Sequence, residues 1–462
     1  MFPWAGERLT CTNPWYVILE RLLPVVADVL QCAGLKELVK NFGPAKYLDF
    51  HNNAHQEIKF PFQLGEQTHH ATKPDVVASL PGLAFDLKLP DRWRHISVVF
   101  EVKAAEDGDP MVFRSKLHNE TLVQLSKSAR NILVAQSRLF AFSVGIYGSV
   151  ARIFRFDHAG AVCSEPFDYA AKNGAILHEF LWRLVNPIPS GCDIVGGDPT
   201  VRLVTTRDAE HVATSQLRVA GLDVNNERMK ACRWITIPGT TIQQTATNYL
   251  AYELLFINPR LFSRATTIWE ALELDGDNKP TGKHVIIKDA WRQHARASEA
   301  HNYEQIYAHL AQEIIRVHLV DAAEAKEVED HLLSEEHAQD AAEGLQGAAE
   351  GAREPTEQSE LSPAQAFKDA WGATWSGLAL YVLSHELGDD ESQDGGGVGH
   401  QTCTGFFQAY HHHRWFERDH VRLVSQTVGT PISQFQSTRE MVQALRDAIY
   451  GTSCPNLMST HV

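Results

Sequence analysis

The sequence lacks the short motifs that would identify several common classes of protein at once. It contains no G-x-x-x-x-G-K-[ST], no G-x-G-x-x-G and no G-x-S-x-G, which excludes the usual phosphate loop, the dinucleotide-binding loop and the nucleophile elbow. Long apolar runs are also missing, because the most apolar N-terminal stretch is interrupted by Glu20, Arg21, Pro24 and Asp28. We therefore expect neither a signal peptide nor a membrane-spanning segment.

Disulfide and metal-binding cysteine patterns are absent as well. Seven cysteines are scattered along the chain, and no two of them form a C-x-x-C pair. An odd number of isolated cysteines is typical of reduced thiols rather than of a disulfide framework or a zinc site. The cysteine pattern therefore predicts an intracellular protein, cytoplasmic or nuclear.

The net charge of −15 arises from two segments. Residues 321–362 contain 13 acidic and 2 basic side chains, and residues 386–394 contain 5 acidic side chains and no basic one. The rest of the chain keeps 39 acidic and 40 basic side chains and is nearly neutral, which gives little support to a nucleic-acid partner. Glycines and a proline interrupt residues 327–362, which predicts a disordered acidic insertion there.

The pattern of the chain predicts three regions. Apolar residues at helical spacing predict helices within residues 1–45. Residues 46–190 contain strand-like runs (VVASL, ISVVFEVK, FAFSVGIY, VARIFRF) and one amphipathic helix, LHNETLVQLSKSARNILVAQ. The Pro- and Gly-rich segment 186–200 marks a boundary. Residues 191–462 then contain further strands (RWITIP, ATTIWEALEL, HVIIKDAW, HVRLVSQTV) and a long helix that starts near Ser298.

The strand pattern of the first half brings two carboxylates and a lysine close together. Asp75 begins one strand-like run, and Glu101 and Lys103 lie in another. Residues two apart in a strand face the same way, so Glu101 and Lys103 project together while Val102 points into the core. Asp75 and Glu101 could bind a divalent metal ion, and Lys103 could activate the attacking water of a phosphodiester cleavage.

The order strand, strand, helix, strand around these residues resembles the PD-(D/E)XK nuclease superfamily over about residues 70–160. The resemblance implies that Asp75 and Glu101 are metal ligands, that Lys103 is the catalytic lysine and that Gln124 on the following helix is an accessory residue. Two alternatives remain open. The charged pair simply flanks an exposed strand end, or an old nuclease fold survives as a binding module, and the lack of a strong basic face favours both alternatives.

A second lysine, Lys288, ends the strand-like run VIIK, and a long helix with Glu299 and Glu304 follows it. This arrangement has the shape of the V-A-I-K strand, whose lysine pairs with the α- and β-phosphates of ATP in protein kinases. A lysine in that role needs an acidic partner. Glu304 lies beside the apolar face of the helix and is the predicted partner, with Glu299 as the second choice. An ordinary surface lysine is the alternative.

Several segments resemble the fungal-type protein kinase family in their order along the chain. They are SRATTIWEAL, VIIKDAWR, YEQIYAHL, HVRLVSQTVGTPISQF and STREMVQALRDAI, preceded by PDVV, VVFEVK, QLSKSARNILVAQ and GIYGSVARIFRFDHAGAV. The resemblance covers about residues 45–450. It implies ATP-dependent phosphorylation of serine or threonine in a protein substrate, with ATP and Mg²⁺ as cofactors. It further implies that Lys288 binds ATP, that Glu304 is its partner, and that Gln426 and Val428 hold the adenine through backbone groups of the hinge.

The sequence departs from this family at two places. Where the family has G-R-x-T over the phosphates, this chain has Ser263–Arg264–Ala265–Thr266, which allows a less close approach of backbone to phosphate. The residues after Val428 contain neither the H-R-D catalytic loop nor a D-F-G, and no other segment replaces them. We therefore expect a C-terminally truncated member, which sequencing the transcript across the codons for residues 450–453 would test.

The expected fold class is α+β, with a PD-(D/E)XK nuclease-like α/β block followed by the N-terminal lobe of a protein kinase without its C-terminal lobe. The first functional interpretation is a fungal-type protein kinase that is itself inactive, a pseudokinase. The second is a metal-dependent nuclease that acts through Asp75, Glu101 and Lys103. The third is a non-catalytic interaction module that recruits a partner protein.

Overall fold

A computed structural model describes a large part of the 462 residues. The described residues are 48–54, 56–62, 71–80, 92–112, 115–169, 175–186, 195–238, 246–303, 305, 381–387, 401–402, 417–426, 436–439, 441–443 and 445. The chain divides into two units, the first with residues 1–296 and 382–428 and the second with residues 297–381 and 429–462. The elements described below belong to the first unit, apart from the first residue of the strand that begins at Tyr381.

Among the described residues, the first sheet has seven strands. They are β1 (Asp49–Asn52), β2 (Val76–Ser79), β3 (Val98–Lys103), β4 (Ala141–Tyr147), β5 (Val150–Phe156), β6 (Ala161–Cys163) and β7 (Phe167–Asp168). Their order is β1-β2-β3-β4-β5-β6, with β7 beside β5. All neighbouring pairs are antiparallel except β3 and β4, which are parallel. A parallel pair needs a crossover, which helix α1 (Lys116–Gln136) supplies.

Two helices cover the two faces of the first sheet. Helix α1 begins after Ser115, whose side chain accepts a hydrogen bond from the His118 backbone N–H. Its buried face, with Leu125, Ala129 and Ile132, packs against one side of the sheet. Helix α2 (Ala175–Val185) packs its own apolar face against the other side. The first sheet is therefore the middle layer of an α/β/α arrangement.

The second sheet also has seven strands. They are β8 (Val201–Leu203), β9 (Arg233–Ile237), β10 (Thr247–Ile257), β11 (Thr267–Leu274), β12 (Pro280–Gln293), β13 (Tyr381–Glu386) and β14 (Arg418–Ser425). Their order is β13-β14-β12-β11-β10-β9-β8, and the pairs from β14 to β8 are antiparallel. Between β8 and β9 lie helices α3 (Arg207–Val219) and α4 (Asn226–Ala231). Strands β10, β11 and β12 thus form a meander, and β14 adds to its β12 edge.

The two sheets share a core around helix α1. One face of the second sheet packs with Phe60 and Phe62, which precede β2, and with Val134 of α1. The opposite face packs with α3, through Ala213 and Leu217. Because α1 contacts the first sheet on one side and the core of the second sheet on the other, it lies between the two sheets.

Buried arginines complete the contact between the sheets by donating to backbone carbonyls. Arg94 lies in the 3-10 helix Arg92–His95 and donates to the carbonyl oxygens of Val204, Met229 and Cys232 at 2.6–3.1 Å. Carbonyl groups that leave a strand or helix would otherwise lose their hydrogen bonds on burial, at a substantial cost in free energy. The arginine therefore satisfies the backbone of the second sheet from the first.

The predicted strands and the long amphipathic helix lie where the sequence pattern places them, as β2, β3, β4, β5, β9, β11, β12, β14 and α1. Strand β10 and helix α3 were not predicted. The predicted boundary near residue 190 falls between the two sheets, and the division into domains stays a prediction. The predicted N-terminal helices (1–45) and the acidic insertion (327–362) lie outside the described residues. Among the described helices, none combines the length and apolarity that crossing a membrane requires.

Gly145 in β4 provides a test of this core. A Cβ atom at residue 145 would lie 2.1 Å from the Oη atom of Tyr147, whose side chain is fully buried. We expect Gly145→Ala to lower the free energy of unfolding by about 1–3 kcal/mol, because overpacking forces a buried ring to move. Urea unfolding measures this. The control Gly276→Ala places its Cβ in open space, and we expect no loss. Equal stability of the two variants would contradict the described packing.

Candidate functional sites on the two sheets

The structure brings Asp75, Glu101 and Lys103 together at one end of strand β3. Strands β2 and β3 pair so that Val76 lies opposite Phe100, which puts Asp75 opposite Glu101. The Asp75 Oδ2 atom accepts a hydrogen bond of 2.9 Å from the backbone N–H of Val102. The Lys103 Nζ atom donates to Glu101 Oε1 at 2.6 Å. Two carboxylates and an ammonium group therefore share one small region of the sheet.

Burial makes the Glu101 carboxylate costly to ionise. The residue is only 3% exposed. Burial, and then the negative charge of Asp75, raise the pKa of Glu101 to about 7, although the charge and hydrogen bond of Lys103 act in the opposite direction. A second cation beside Asp75 and Glu101 would favour the ionised form of Glu101. Perturbed carboxylates of this kind are typical of functional sites, although structural ion pairs also produce them.

Gln124 lies on helix α1, which covers the face of the sheet that carries Glu101 and Lys103. Its Nε2 atom donates a hydrogen bond of 2.7 Å to the backbone carbonyl of Lys73, two residues before Asp75. The predicted accessory residue thus lies near the carboxylates, and its amide holds the chain segment that leads into Asp75.

Three further polar residues, which no sequence motif marks, lie near these carboxylates. The parallel register pairs Lys103 with Tyr147, and the next antiparallel register pairs Gly145 with Arg152. Arg152 Nε donates to Asp109 Oδ2 at 2.7 Å. The fully buried Tyr147 has no hydrogen-bond partner for its Oη atom among the described residues, and burial, with the charge of Asp109, raises its pKa. Sequence spacing could not reveal these neighbours because the register between strands depends on the folded sheet.

Lys288 lies on strand β12 in a row that crosses the second sheet. The strand registers pair Phe256 with Ile268, Ile268 with Lys288, and Lys288 with Leu423. Paired residues project from the same face, so these four side chains share one surface. Val285 and Ile287 alternate with Lys288 and point into the core between the sheets. The Lys288 row therefore belongs to the face that does not contact the first sheet.

A buried ionic network lies on the opposite face, directly beside Lys288 in sequence. Arg422 of β14 donates to Asp289 Oδ1 at 2.7 Å and to Asp198 Oδ2 at 3.1 Å. His420 Nε2 lies 3.2 Å from Asp289 Oδ1. Burial alone would raise the pKa of Asp289, but Arg422 and His420 outweigh this effect and hold it well below its ordinary value. The network joins β12 to β14 and so fixes the strand that carries Lys288.

The turn at Ser263–Arg264–Ala265–Thr266 lies between β10 and β11. Ala265 has a φ angle of +40°, in the left-handed region that glycine adopts more easily than alanine. The Ser263 Oγ atom accepts a hydrogen bond of 2.9 Å from the Ala265 N–H, and Asn258 N–H donates to Thr266 O at 2.8 Å. These local hydrogen bonds thus stabilise the turn with Ala265 in the left-handed region.

The remaining predicted nucleotide residues are only partly described. Gln426 follows β14 directly and is exposed. Glu304 and Val428 lie outside the described residues. Residues 299–303 are helical, and Ser298 Oγ accepts a hydrogen bond of 3.1 Å from the backbone N–H of His301. The alternative partner Glu299 lies in this first helical turn, in the second unit of the chain.

Comparison with known proteins identifies the family. The family model described as fungal protein kinase matches residues 83–454, well over half of the chain. The chain belongs to the fungal protein kinase family. No curated protein and no solved structure gives a significant match. The family match includes Glu101, Lys103 and Lys288 and begins after Asp75, so both sheets contribute to the region that the family shares.

Among the described residues, no group of three or more His, Cys, Asp and Glu side chains lies close enough to hold a metal ion. A divalent ion at Asp75 and Glu101 could take further ligands from water or from a substrate, which is usual for Mg²⁺.

The raised pKa of Glu101 makes a prediction for stability. The folded chain binds the Glu101 proton more tightly than the unfolded chain, so this stabilisation is complete below about pH 4.5 and is lost as the pH rises through about 7. We expect Glu101→Gln to be more stable than wild type at about pH 8, by up to about 3 kcal/mol, and similar to it at about pH 5.

Urea unfolding at the two pH values measures this difference. Glu165→Gln, an exposed acid in the same part of the chain, is the control and should show no pH-dependent gain. A wild type more stable than Glu101→Gln at the higher pH would show that the pair with Lys103 is an ordinary stabilising ion pair.

Proposed function

We propose that the chain binds ATP on the Lys288 face of the second sheet, and that these 462 residues hold the nucleotide without transferring its phosphoryl group. The position of Lys288 carries this proposal. It lies on β12, the third strand of the β10-β11-β12 meander. Strand β12 pairs directly with β14, which leads to Gln426. Kinase lysines that pair with the phosphates occupy the third strand of their lobe. Family membership gives the same expectation.

The geometry of the row supports a nucleotide rather than an ordinary surface lysine. Phe256 and Ile268 supply apolar surface on one side of Lys288, and Leu423 supplies it on the other. An apolar lining with one fixed cation suits a ligand that has both a flat base and phosphates. The hinge contact of Gln426 and Val428 and the ion pair with Glu304 remain parts of the proposal.

The sequence supports binding without transfer. Phosphoryl transfer by protein kinases needs the H-R-D aspartate as base, and it needs the catalytic-loop asparagine and the D-F-G aspartate as Mg²⁺ ligands. These motifs do not occur in the 462 residues. The residues present therefore fit ATP at Lys288 but do not fit Mg²⁺ at this site, and we derive no step through that ion.

Substitution of Lys288 tests the nucleotide site. We expect Lys288→Met to weaken the binding of a fluorescent ATP analogue by about tenfold or more, because a charge-assisted contact to phosphate is lost. Lys283→Met is the matched control. It removes an exposed lysine of the same strand that pairs with Glu273, and it should leave the affinity unchanged. Fluorescence anisotropy in the presence of a chelator measures both variants.

Two results would contradict this proposal. Equal affinity of wild type and Lys288→Met would show that the nucleotide, if it binds, does not use the lysine. Transfer of labelled phosphate from ATP to protein by the pure chain, lost in Lys288→Met, would show that the chain is an active kinase.

A specific observation favours a second function, which is metal-dependent cleavage of a phosphodiester at Asp75, Glu101 and Lys103. The carboxylates face each other across β2 and β3, and the lysine lies within hydrogen-bonding distance of Glu101. Their donor set fits a divalent ion, since two carboxylates lie close enough for the negative charge of Asp75 to raise the pKa of Glu101. Hard oxygen ligands of this kind suit Mg²⁺ or Mn²⁺.

Each residue would have a distinct task in this reaction. Asp75 and Glu101 would hold the divalent ion, which when bound polarises the scissile phosphate. Lys103 is partly exposed, with 31% of its side chain accessible, so its ammonium group can reach a substrate while it stays paired with Glu101. It would orient the attacking water and stabilise negative charge on the phosphate. Gln124 would keep the segment before Asp75 in place through Lys73.

Removal of Asp75 tests the nuclease function. We expect Asp75→Ala to abolish nicking of supercoiled plasmid in Mn²⁺, because one of two candidate metal ligands is lost. Asp107→Ala removes an exposed carboxylate from the same block and should retain wild-type nicking. Nicking that persists in Asp75→Ala would contradict this function. A wild type that binds no nucleotide and cuts no nucleic acid would favour a non-catalytic module for a partner protein.

A further inference from the structure

The loop between β10 and β11, residues 258–266, is held by the first sheet. Arg130 of helix α1 donates from Nη1 to the carbonyl oxygen of Pro259 at 3.3 Å. His158, which follows β5, lies with Nδ1 3.2 Å from the carbonyl oxygen of Leu261. A carbonyl only accepts hydrogen bonds, so the His158 proton is on Nδ1. Two carbonyl groups of the loop, at 259 and 261, therefore accept hydrogen bonds from helix α1 and from the segment after β5.

The donors are themselves fixed. Arg130 Nε and Nη2 both donate to Asn131 Oδ1, at 3.1 and 2.7 Å, which leaves Nη1 for the loop. Burial lowers the pKa of His158 to about 4, so the ring is neutral at physiological pH. The Leu261 side chain is buried in the same core as helix α1. The loop is thus fixed by two hydrogen bonds and one apolar anchor.

The second half of the loop is tied to the strand that carries Lys288. The backbone N–H of Trp291 on β12 donates to the Arg264 carbonyl oxygen at 2.7 Å. The Trp291 ring centre lies 4.8 Å from the ring centre of His158 and 4.8 Å from that of His420. A continuous set of contacts therefore runs from the first sheet through His158 and Trp291 to β12.

We infer that Arg130 and His158 are positioning residues for the nucleotide phosphates, so that the first sheet forms part of the nucleotide site. This inference rests on the proposed ATP site at Lys288. A glycine-rich loop gains its close approach to phosphate from backbone freedom. Here Ser263 lies at the position of a glycine, and its Oγ atom accepts a hydrogen bond from the Ala265 N–H. The carbonyl anchors at 259 and 261 hold the loop in one conformation before any ligand binds. A preformed loop avoids the entropic cost of ordering on binding.

Arg94 is a matched control for Arg130. Both are buried arginines of the first-sheet region that donate to backbone carbonyls in the second-sheet region. Arg94 reaches Val204, Met229 and Cys232, which are distant in sequence from the loop. Its removal should lower stability at least as much as removal of Arg130, without acting on residues 258–266.

The experiment combines hydrogen exchange with nucleotide affinity in the full chain, at a temperature where unfolding curves show every variant folded. We expect amide exchange in 258–266 to accelerate in Arg130→Met and His158→Ala and to stay unchanged in Arg94→Met. We expect the affinity for the fluorescent ATP analogue to fall by about tenfold in the first two variants, as loss of a buried hydrogen bond allows. Arg130→Lys, which keeps a donor, should recover part of both effects.

The outcomes separate this inference from the proposal on which it rests. A wild type that binds no nucleotide would overturn the ATP site, while the exchange data would still show whether the first sheet holds the loop. Equal nucleotide affinity of wild type, Arg130→Met and His158→Ala would overturn this inference and leave the ATP site at Lys288 standing. Equal losses of affinity in Arg94→Met would also overturn it, because they would reflect general destabilisation. His158→Ala provides the same test if Arg130→Met does not fold.

Discussion

The burial of helix α1 between the two sheets is the constraint on which the rest of the structure depends. A helix covered on both sides has to satisfy two apolar surfaces at once, and the elements around it lose access to water. The polar groups at the edges of both sheets must then find partners within the protein. Arg94 and Arg130 meet this need by donating to carbonyl groups in the segments that flank strands of the second sheet. The two sheets are consequently coupled through their backbones as well as through their cores.

Two carboxylates that are largely removed from water have pKa values shifted in opposite directions. Asp289 lies against Arg422 and His420, so its charge is compensated and its pKa falls. Glu101 lies opposite Asp75 with a single, partly exposed lysine, so its charge is undercompensated and its pKa rises to about 7. A compensated network stabilises a strand pairing, whereas a carboxylate with a raised pKa is found both at functional sites and in structural ion pairs. The two carboxylates therefore differ in how completely neighbouring cations offset their charge.

Much of the local structure was predictable because its signals are local. The apolar spacing of LHNETLVQLSKSARNILVAQ predicts helix α1, and the alternation in VVFEVK places Glu101 and Lys103 on one face. Strand β10 was missed because TNYLAYELLFI is a nearly continuous apolar run without clear alternation, which does not distinguish a strand from a helix. Helix α3 was missed because few of its residues are apolar, although Thr206 caps it.

The sequence alone determined the family motifs and the candidate site residues, which are carboxylates and lysines at characteristic spacings. Only the tertiary structure decided what these residues meet. Tyr147 faces Lys103 because of a parallel register, and the carbonyl of Leu261 is held by His158, 103 positions earlier. Strand registers and contacts between distant segments depend on which faces of the sheets and helices pack together. A local sequence pattern does not specify that packing.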